Sequence, residues 1–207
     1  MLDLYFSRMA VRSSLEPSTK RVKLNTSFDD SLPKYDKVII IILRSPEGES
    51  FEDDEILINN ANRLKSKLMK NNQDVEIIEY DSSKNISLKD KSTKSSKIII
   101  SGHGCIETNE LAGRDAEWVA EIIYNDLEVE QAKTITLFSC NLAKSQFPIE
   151  LKNQLITESN GTFMPSIRAY ALPVMVFDDG EIMADKGEDD ETDELEFVPA
   201  KFYKMRF

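Results

Sequence analysis

The chain has a single histidine, His103, set between Gly102 and Gly104 directly after the apolar run KIIIS at 97 to 101. Imidazole is the side chain whose ordinary pKa suits it to move protons near neutral pH, and flanking glycines allow close approach of a second backbone or a substrate. A second apolar run, TITLFS at 134 to 139, leads straight into Cys140 and Asn141. Functional groups in open parallel sheets gather beyond the carboxyl ends of the strands. If the two runs are neighbouring strands, His103 and Cys140 emerge side by side, the arrangement in which an imidazole activates a thiol. Cys105 competes for the nucleophile's role, but it lies two residues from His103, and groups so close on one turn rarely converge on a common substrate atom. The plainer alternative is that the histidine packs or faces solvent and the thiols are inert small hydrophobes.

The surrounding pattern supplies the scaffold such a pair requires. KVIIIIL at 37 to 43 is a β-branched run typical of a strand buried on both faces. A helix is expected from about Asp53 to Lys70, with Ile56, Leu57, Ala61, Leu64 and Leu68 at helical spacing, acids at its start and lysines at its end. DVEIIEY at 74 to 80 reads as a strand, 81 to 96 as a lysine-rich loop, and KIIIS as the next strand. A helix follows from Asp115 to Leu127, with Asp115 as N-cap and Trp118, Val119, Ile122 and Ile123 on one face. TITLFS and a helix from Pro148 to Glu158 complete an alternating order, which implies a mostly parallel α/β sheet flanked by helices. From about Phe163 the runs SIRAY, PVMVF, EIMA and LEFVPAKFY suggest a C-terminal antiparallel β-flap. Residues 1 to 33 lack a period and read as an arm, leaving 34 to 207 as the domain.

Composition narrows the function classes. At 207 residues and 41% apolar content the chain suffices for one domain with a core and a short arm. No apolar run approaches the roughly 20 residues of a spanning helix, and the first residues, MLDLYFSRMAVRSS, do not read as a cleavable signal peptide. Two cysteines make no disulfide framework, pointing to a reducing compartment or to thiols kept for chemistry. Of the net charge of −11, the segment 178 to 196 carries −10, with eleven acids against Lys186. This block reads as a solvated loop and argues against nucleic-acid binding, which requires cations to neutralise phosphates. Nothing in the pattern calls for a metal.

An apolar strand ending in His-Gly, followed by another ending in a small residue and Cys, resembles the caspase-like cysteine peptidases, among them gingipains, legumains and separases. The chain is most similar to the self-cleaving cysteine protease domains of MARTX and large clostridial glucosylating toxins. The likeness is carried by SGHG at 101 to 104, ETN at 107 to 109, LAG at 111 to 113, LFSCN at 137 to 141 and SIRAY at 166 to 170, and spans about residue 34 to the end. It implies a caspase-like fold with Cys140 as nucleophile, His103 as its partner, and the backbone amides of Gly104 and Cys140 as oxyanion donors. Some members add an acid before the first helix. Asp54 matches that position, with Asp53 and Glu52 alongside, and helix-start capping is the competing reading.

The resemblance also implies allosteric activation by inositol hexakisphosphate, held by Lys34, Lys67, Lys97, Arg168, Lys201 and Lys204, each of which is otherwise an ordinary solvated charge. One departure is plain: where the family has Gly followed by two basic residues, this chain has Gly180, Glu181 and Ile182. The expected substrate is a peptide or protein, including the chain's own arm, where Leu15, Leu24 and Leu32 are candidate cleavage positions because related domains cut after leucine. By the same resemblance the chain is a secreted bacterial toxin or effector working in a host cytosol. The alternatives are an effector protease acting in trans, an inactive inositol-phosphate- or protein-binding module of the same fold, or another thiol-histidine enzyme such as an acyltransferase.

Overall fold

A computed structural model describes residues 35–45, 51–188 and 195–207, with the side chains of 51–54 and 188 left aside. The N-terminal arm, Lys34 and the three candidate leucines lie outside the described residues.

Among the described residues six strands form the central sheet, in the order β11 (Lys204–Arg206), β7 (Ser166–Tyr170), β6 (Thr134–Phe138), β3 (Lys97–Ser101), β1 (Val38–Ile42) and β2 (Val75–Glu79). Strands β1, β2, β3, β6 and β7 run parallel. The edge strand β11 is antiparallel to β7. Every residue of β1 and β6 is buried, which is why these stretches read as unbroken apolar or β-branched runs rather than alternating ones. Alternate residues feed two cores. Ile39, Ile41, Ile98, Ile100, Ile135, Leu137, Ile167 and Ala169 pack into one. Val38, Ile40, Ile42, Ile99, Phe138 and Tyr170 pack into the other.

The helices divide between these faces. Helix α1 (Phe51–Lys70) supplies Leu57, Ala61 and Leu64 to the second core. Helices α2 (Ala116–Glu121), continued by a π-turn over Ile122–Asp126, and α3 (Phe147–Glu158) cover the first core. The Asp115 side chain accepts from Trp118 N at 2.9 Å, as an N-cap should. Trp118 itself departs from expectation: it is 56% exposed, with the Arg114 guanidinium 5.9 Å from its ring centroid. The buried stripe is instead Ala116, Val119, Ala120, Ile122 and Ile123.

The antiparallel ribbon expected from about Phe163 begins later. Ser166–Tyr170 is the fifth parallel strand of the main sheet, because its alternate residues Ile167 and Ala169 extend the core laid down by Ile135 and Leu137. The flap proper is a three-stranded antiparallel sheet of β8 (Val174–Val176), β9 (Ile182–Glu188) and β10 (Leu195–Pro199), with β9 in the middle. It lies on the α1 side, contributing Val174, Val176, Ala184 and Val198 to that core. A further two-stranded ribbon, β4 (Gly104–Cys105) with β5 (Glu110–Leu111), follows β3.

Helix α1 fastens the flap through polar contacts. The buried Asn60 carboxamide accepts from Val176 N at 3.0 Å. Arg63 donates to Val176 O at 3.0 Å and pairs with Asp178 at 2.6 Å. The turn closing β8 onto β9 uses Gly180 at φ 77°, where a Cβ would come within 2.4 Å of Lys67 Cβ, so only glycine fits the turn against the helix. Asn60→Ala leaves a buried amide without its acceptor and is expected to destabilise the fold by about 1–3 kcal/mol, measured by urea denaturation.

Candidate active site

Strands β3 and β6 are hydrogen-bonded neighbours in a register that pairs Lys97 with Thr134 and Ser101 with Phe138. That register is an offset of 37 residues, which is also the separation of His103 from Cys140. The two chains therefore leave the carboxyl edge of the sheet together, with histidine and cysteine each two residues beyond the end of their strands.

Local structure holds both segments close. Gly102 N donates to Phe138 O at 3.4 Å. His103 O accepts from Ala112 N at 2.6 Å, which ties the histidine to the loop after β5. The turns on either side of β5 are tightly wound: Asn109 before it has φ 58°, and Ala112 and Gly113 after it have φ 52° and 64°. A Cβ on Gly104 would sit 2.7 Å from Cys140 O and 3.2 Å from Ser139 Cβ. Beyond the thiol, Asn141 takes φ 56°, a conformation asparagine tolerates better than most residues, and the chain turns into a short 3-10 turn at Leu142–Lys144.

The Cys140 thiol is desolvated. Burial pushes its pKa up to about 11; the Val174 backbone N–H hydrogen-bonded to the sulfur works against that rise and the charge of Asp185 adds to it. Cys140 as a residue keeps some surface, and Val174 and Asp185 belong to the flap strands β8 and β9. Cys105, by contrast, donates its Sγ to Glu107 Oε2 at 3.4 Å within its own loop. Asp54 lies in the first turn of α1, and its side chain is outside the described residues.

The basic residues separate into groups. Lys97, Arg168 and Lys204 act on one another electrostatically across β3, β7 and β11. Burial, with Arg168 adding, pushes Lys97 down to about 8, and burial followed by the charges of Lys97 and Arg168 pushes Lys204 down to about 6. Lys204 Nζ donates to Tyr170 OH at 3.1 Å, and burial raises the Tyr170 phenol above its ordinary range. Arg168 Nε and the neighbouring Thr136 hydroxyl are buried with no hydrogen-bond partner. Lys67 lies elsewhere, its stem against the Gly180 turn. Lys201 is exposed in the 3-10 turn Ala200–Tyr203, its ammonium 5.7 Å from the Phe202 ring centroid.

Several residues of these two sites escape sequence reading. Lys133 shares the Tyr35 ring with Lys97, at 6.0 and 5.7 Å from its centroid; its place just before β6 mirrors that of Lys97 at the start of β3, which is a usable signal. Val174 and Asp185 carry no local signal, because folding of the flap alone brings them to the thiol. Among the described residues, no group of three or more His, Cys, Asp or Glu side chains could hold a metal, and no helix is long and apolar enough to cross a membrane.

Two outcomes are expected. Iodoacetamide should alkylate Cys140 at pH 8 on the order of a hundred-fold more slowly than an unstructured cysteine, the rate climbing as pH rises toward 11, because only the thiolate reacts. Lys204→Met should stabilise the ligand-free protein by about 1–3 kcal/mol at pH 6 to 7, by removing an amine that must either be held charged beside Lys97 and Arg168 or give up its proton on folding. The sign follows from a folded-state pKa below the unfolded one: the penalty is full below about 6 and vanishes above the ordinary lysine value. Urea melts across that range measure it. Compared with known proteins, the chain matches no protein-family model and no curated protein.

Proposed function

We propose that the chain is a caspase-like cysteine endopeptidase of the self-processing toxin type, latent in the conformation described and switched on by a polyanion such as inositol hexakisphosphate. The observation that carries this reading is the shared 37-residue offset, which brings His103 and Cys140 out together at the carboxyl edge of adjacent parallel strands. In the proposed reaction the Cys140 proton passes to His103 as sulfur bonds to the substrate carbonyl carbon. The amine leaves with the proton returned from His103, and water hydrolyses the thioester, releasing a carboxylate and restoring the thiol. Backbone amides at Gly104 and Cys140 are the candidate oxyanion donors. The peptide cut belongs to the chain's own arm or to a partner protein in a host cytosol.

Activation rests on two observations. Lys97, Arg168 and Lys204 are crowded, partly desolvated basic groups with an unpartnered guanidinium Nε among them, and a multivalent anion beside them would favour their charged forms. The flap strand β8 starts four residues after β7 ends, and β7 carries Arg168. A ligand gripping β7 and β11 therefore acts next to the segment whose Val174 and Asp185 surround the thiol.

The same thiol pKa of about 11 favours a second reading, an inactive binding module whose cysteine is merely packed. Intact mass over time, with and without inositol hexakisphosphate, separates the two. The peptidase reading expects ligand-dependent loss of an N-terminal fragment, or cleavage of an added protein, absent from Cys140→Ala and reduced at least about 100-fold in His103→Ala. It also expects the ligand to speed alkylation of Cys140. Ligand binding with no cleavage and no change in alkylation would establish the module.

A further inference from the structure

With Gly102 and Gly104 on either side, the backbone at His103 has more freedom than a general base can use. A chain of polar contacts leading away from the sheet edge limits that freedom. His103 O accepts from Ala112 N at 2.6 Å, and Ala112 O accepts in turn from Arg114 Nη1 at 2.8 Å. The same Nη1 donates to Arg44 O at 2.7 Å, two residues beyond the end of β1. One part-buried guanidinium thus ties the turn that holds His103 to the neighbouring strand end.

The turn needs that tie. Ala112 takes φ 52°, a left-handed conformation that a Cβ disfavours, and such a residue persists where its surroundings over-determine it. Leu111 N donates to Arg114 O at 2.9 Å and Arg114 N to Leu111 O at 3.1 Å, which closes the turn on itself but fixes it to nothing else. Gly102 shows how closely the three segments meet: a Cβ there would lie 3.2 Å from Leu43 O and 3.3 Å from both Ala112 Cβ and Leu111 Cδ1. The ring of Trp118, exposed on α2, has its centroid 5.9 Å from Arg114 Cζ, a cation–π contact that holds the guanidinium from the helix side. Resting on the peptidase reading, we propose that Arg114 is a positioning residue for His103: it anchors the strained turn Leu111–Arg114 to the end of β1 and, through the Ala112 N–H, keeps the histidine in step with Cys140. Without the anchor the histidine drifts, and a misplacement of about 1 Å can cost on the order of 100-fold in rate.

Iodoacetamide labelling of Cys140, read by peptide mapping at about pH 7.5 on the full chain with inositol hexakisphosphate, tests this without a substrate. A thiol beside a well-placed imidazole ionises more readily, so the unaltered protein should label at least about 10-fold faster than His103→Ala. Arg114→Met, which keeps the stem and removes the donors, should fall within about 3-fold of His103→Ala, whereas Arg114→Lys, which keeps a charged donor, should retain about half the unaltered rate or more. Adding Arg114→Met to His103→Ala should change the rate by less than about 2-fold, because a residue that acts through the imidazole then has nothing to position. Urea melts followed by the fluorescence of Trp118, the sole tryptophan, should show each variant folded. Full labelling in Arg114→Met, a further loss in the His103→Ala background, or an Arg114→Met that does not fold overturns the positioning role and leaves the peptidase standing. If His103→Ala labels as fast as the unaltered protein and neither cuts a peptide, the peptidase reading itself fails, and the role of Arg114 with it.

Discussion

The pairing of β3 with β6 is the constraint on which the candidate site depends. Both strands are buried on two faces, so their backbone groups must find partners in the sheet, and a slip of one residue would exchange the contents of the two cores. Ile98, Ile100, Ile135 and Leu137 feed one core while Ile99 and Phe138 feed the other, which locks the 37-residue offset. With the offset locked, the segments beyond the strand ends stay in step. Gly104 is the visible consequence: its backbone lies so close to the Cys140 carbonyl that no larger residue fits without a shift.

A second layer of control comes from the flap. It shares a core with α1, which secures it through Asn60, Arg63 and the glycine turn at Lys67. One end of this small sheet therefore sits on a helix and the other beside the thiol. The two influences that modify the thiol's burial, an amide favouring the thiolate and a carboxylate opposing it, both come from flap residues. The thiol's ionisation, raised first by burial, is in this sense modified by a part of the chain that lies 30 or more residues downstream of it.

The cations of β3, β7 and β11 form a third feature, and it runs against stability. Like charges drawn together and partly dried disfavour one another, which opposes the contacts that Lys97 and Lys204 make with Tyr35 and Tyr170. Such an arrangement is commonly retained for what it binds. Its strands are shared with, or run directly into, the elements that carry the candidate site.

The sequence by itself determined the elements and their order, because β-branched runs and helical spacing are local signals that burial then rewards. KIIIS ends at Ser101 as read, the Asp115 cap forms as read, and the alternation of strand and helix does yield a mostly parallel sheet. The same signals made the histidine and cysteine legible, since each follows a strand directly. Helical spacing puts Trp118 on the buried face, whereas the structure exposes it, because spacing alone does not say where the apolar stripe ends. SIRAY reads as part of the flap yet joins the main sheet beside β6, because a strand's partner is a matter of long-range pairing. Only the tertiary structure decided which strands are neighbours, which cations meet and which flap groups surround the thiol. Those depend on contacts between residues tens of positions apart, and no local pattern of residue types encodes the distance at which two distant charges will be held.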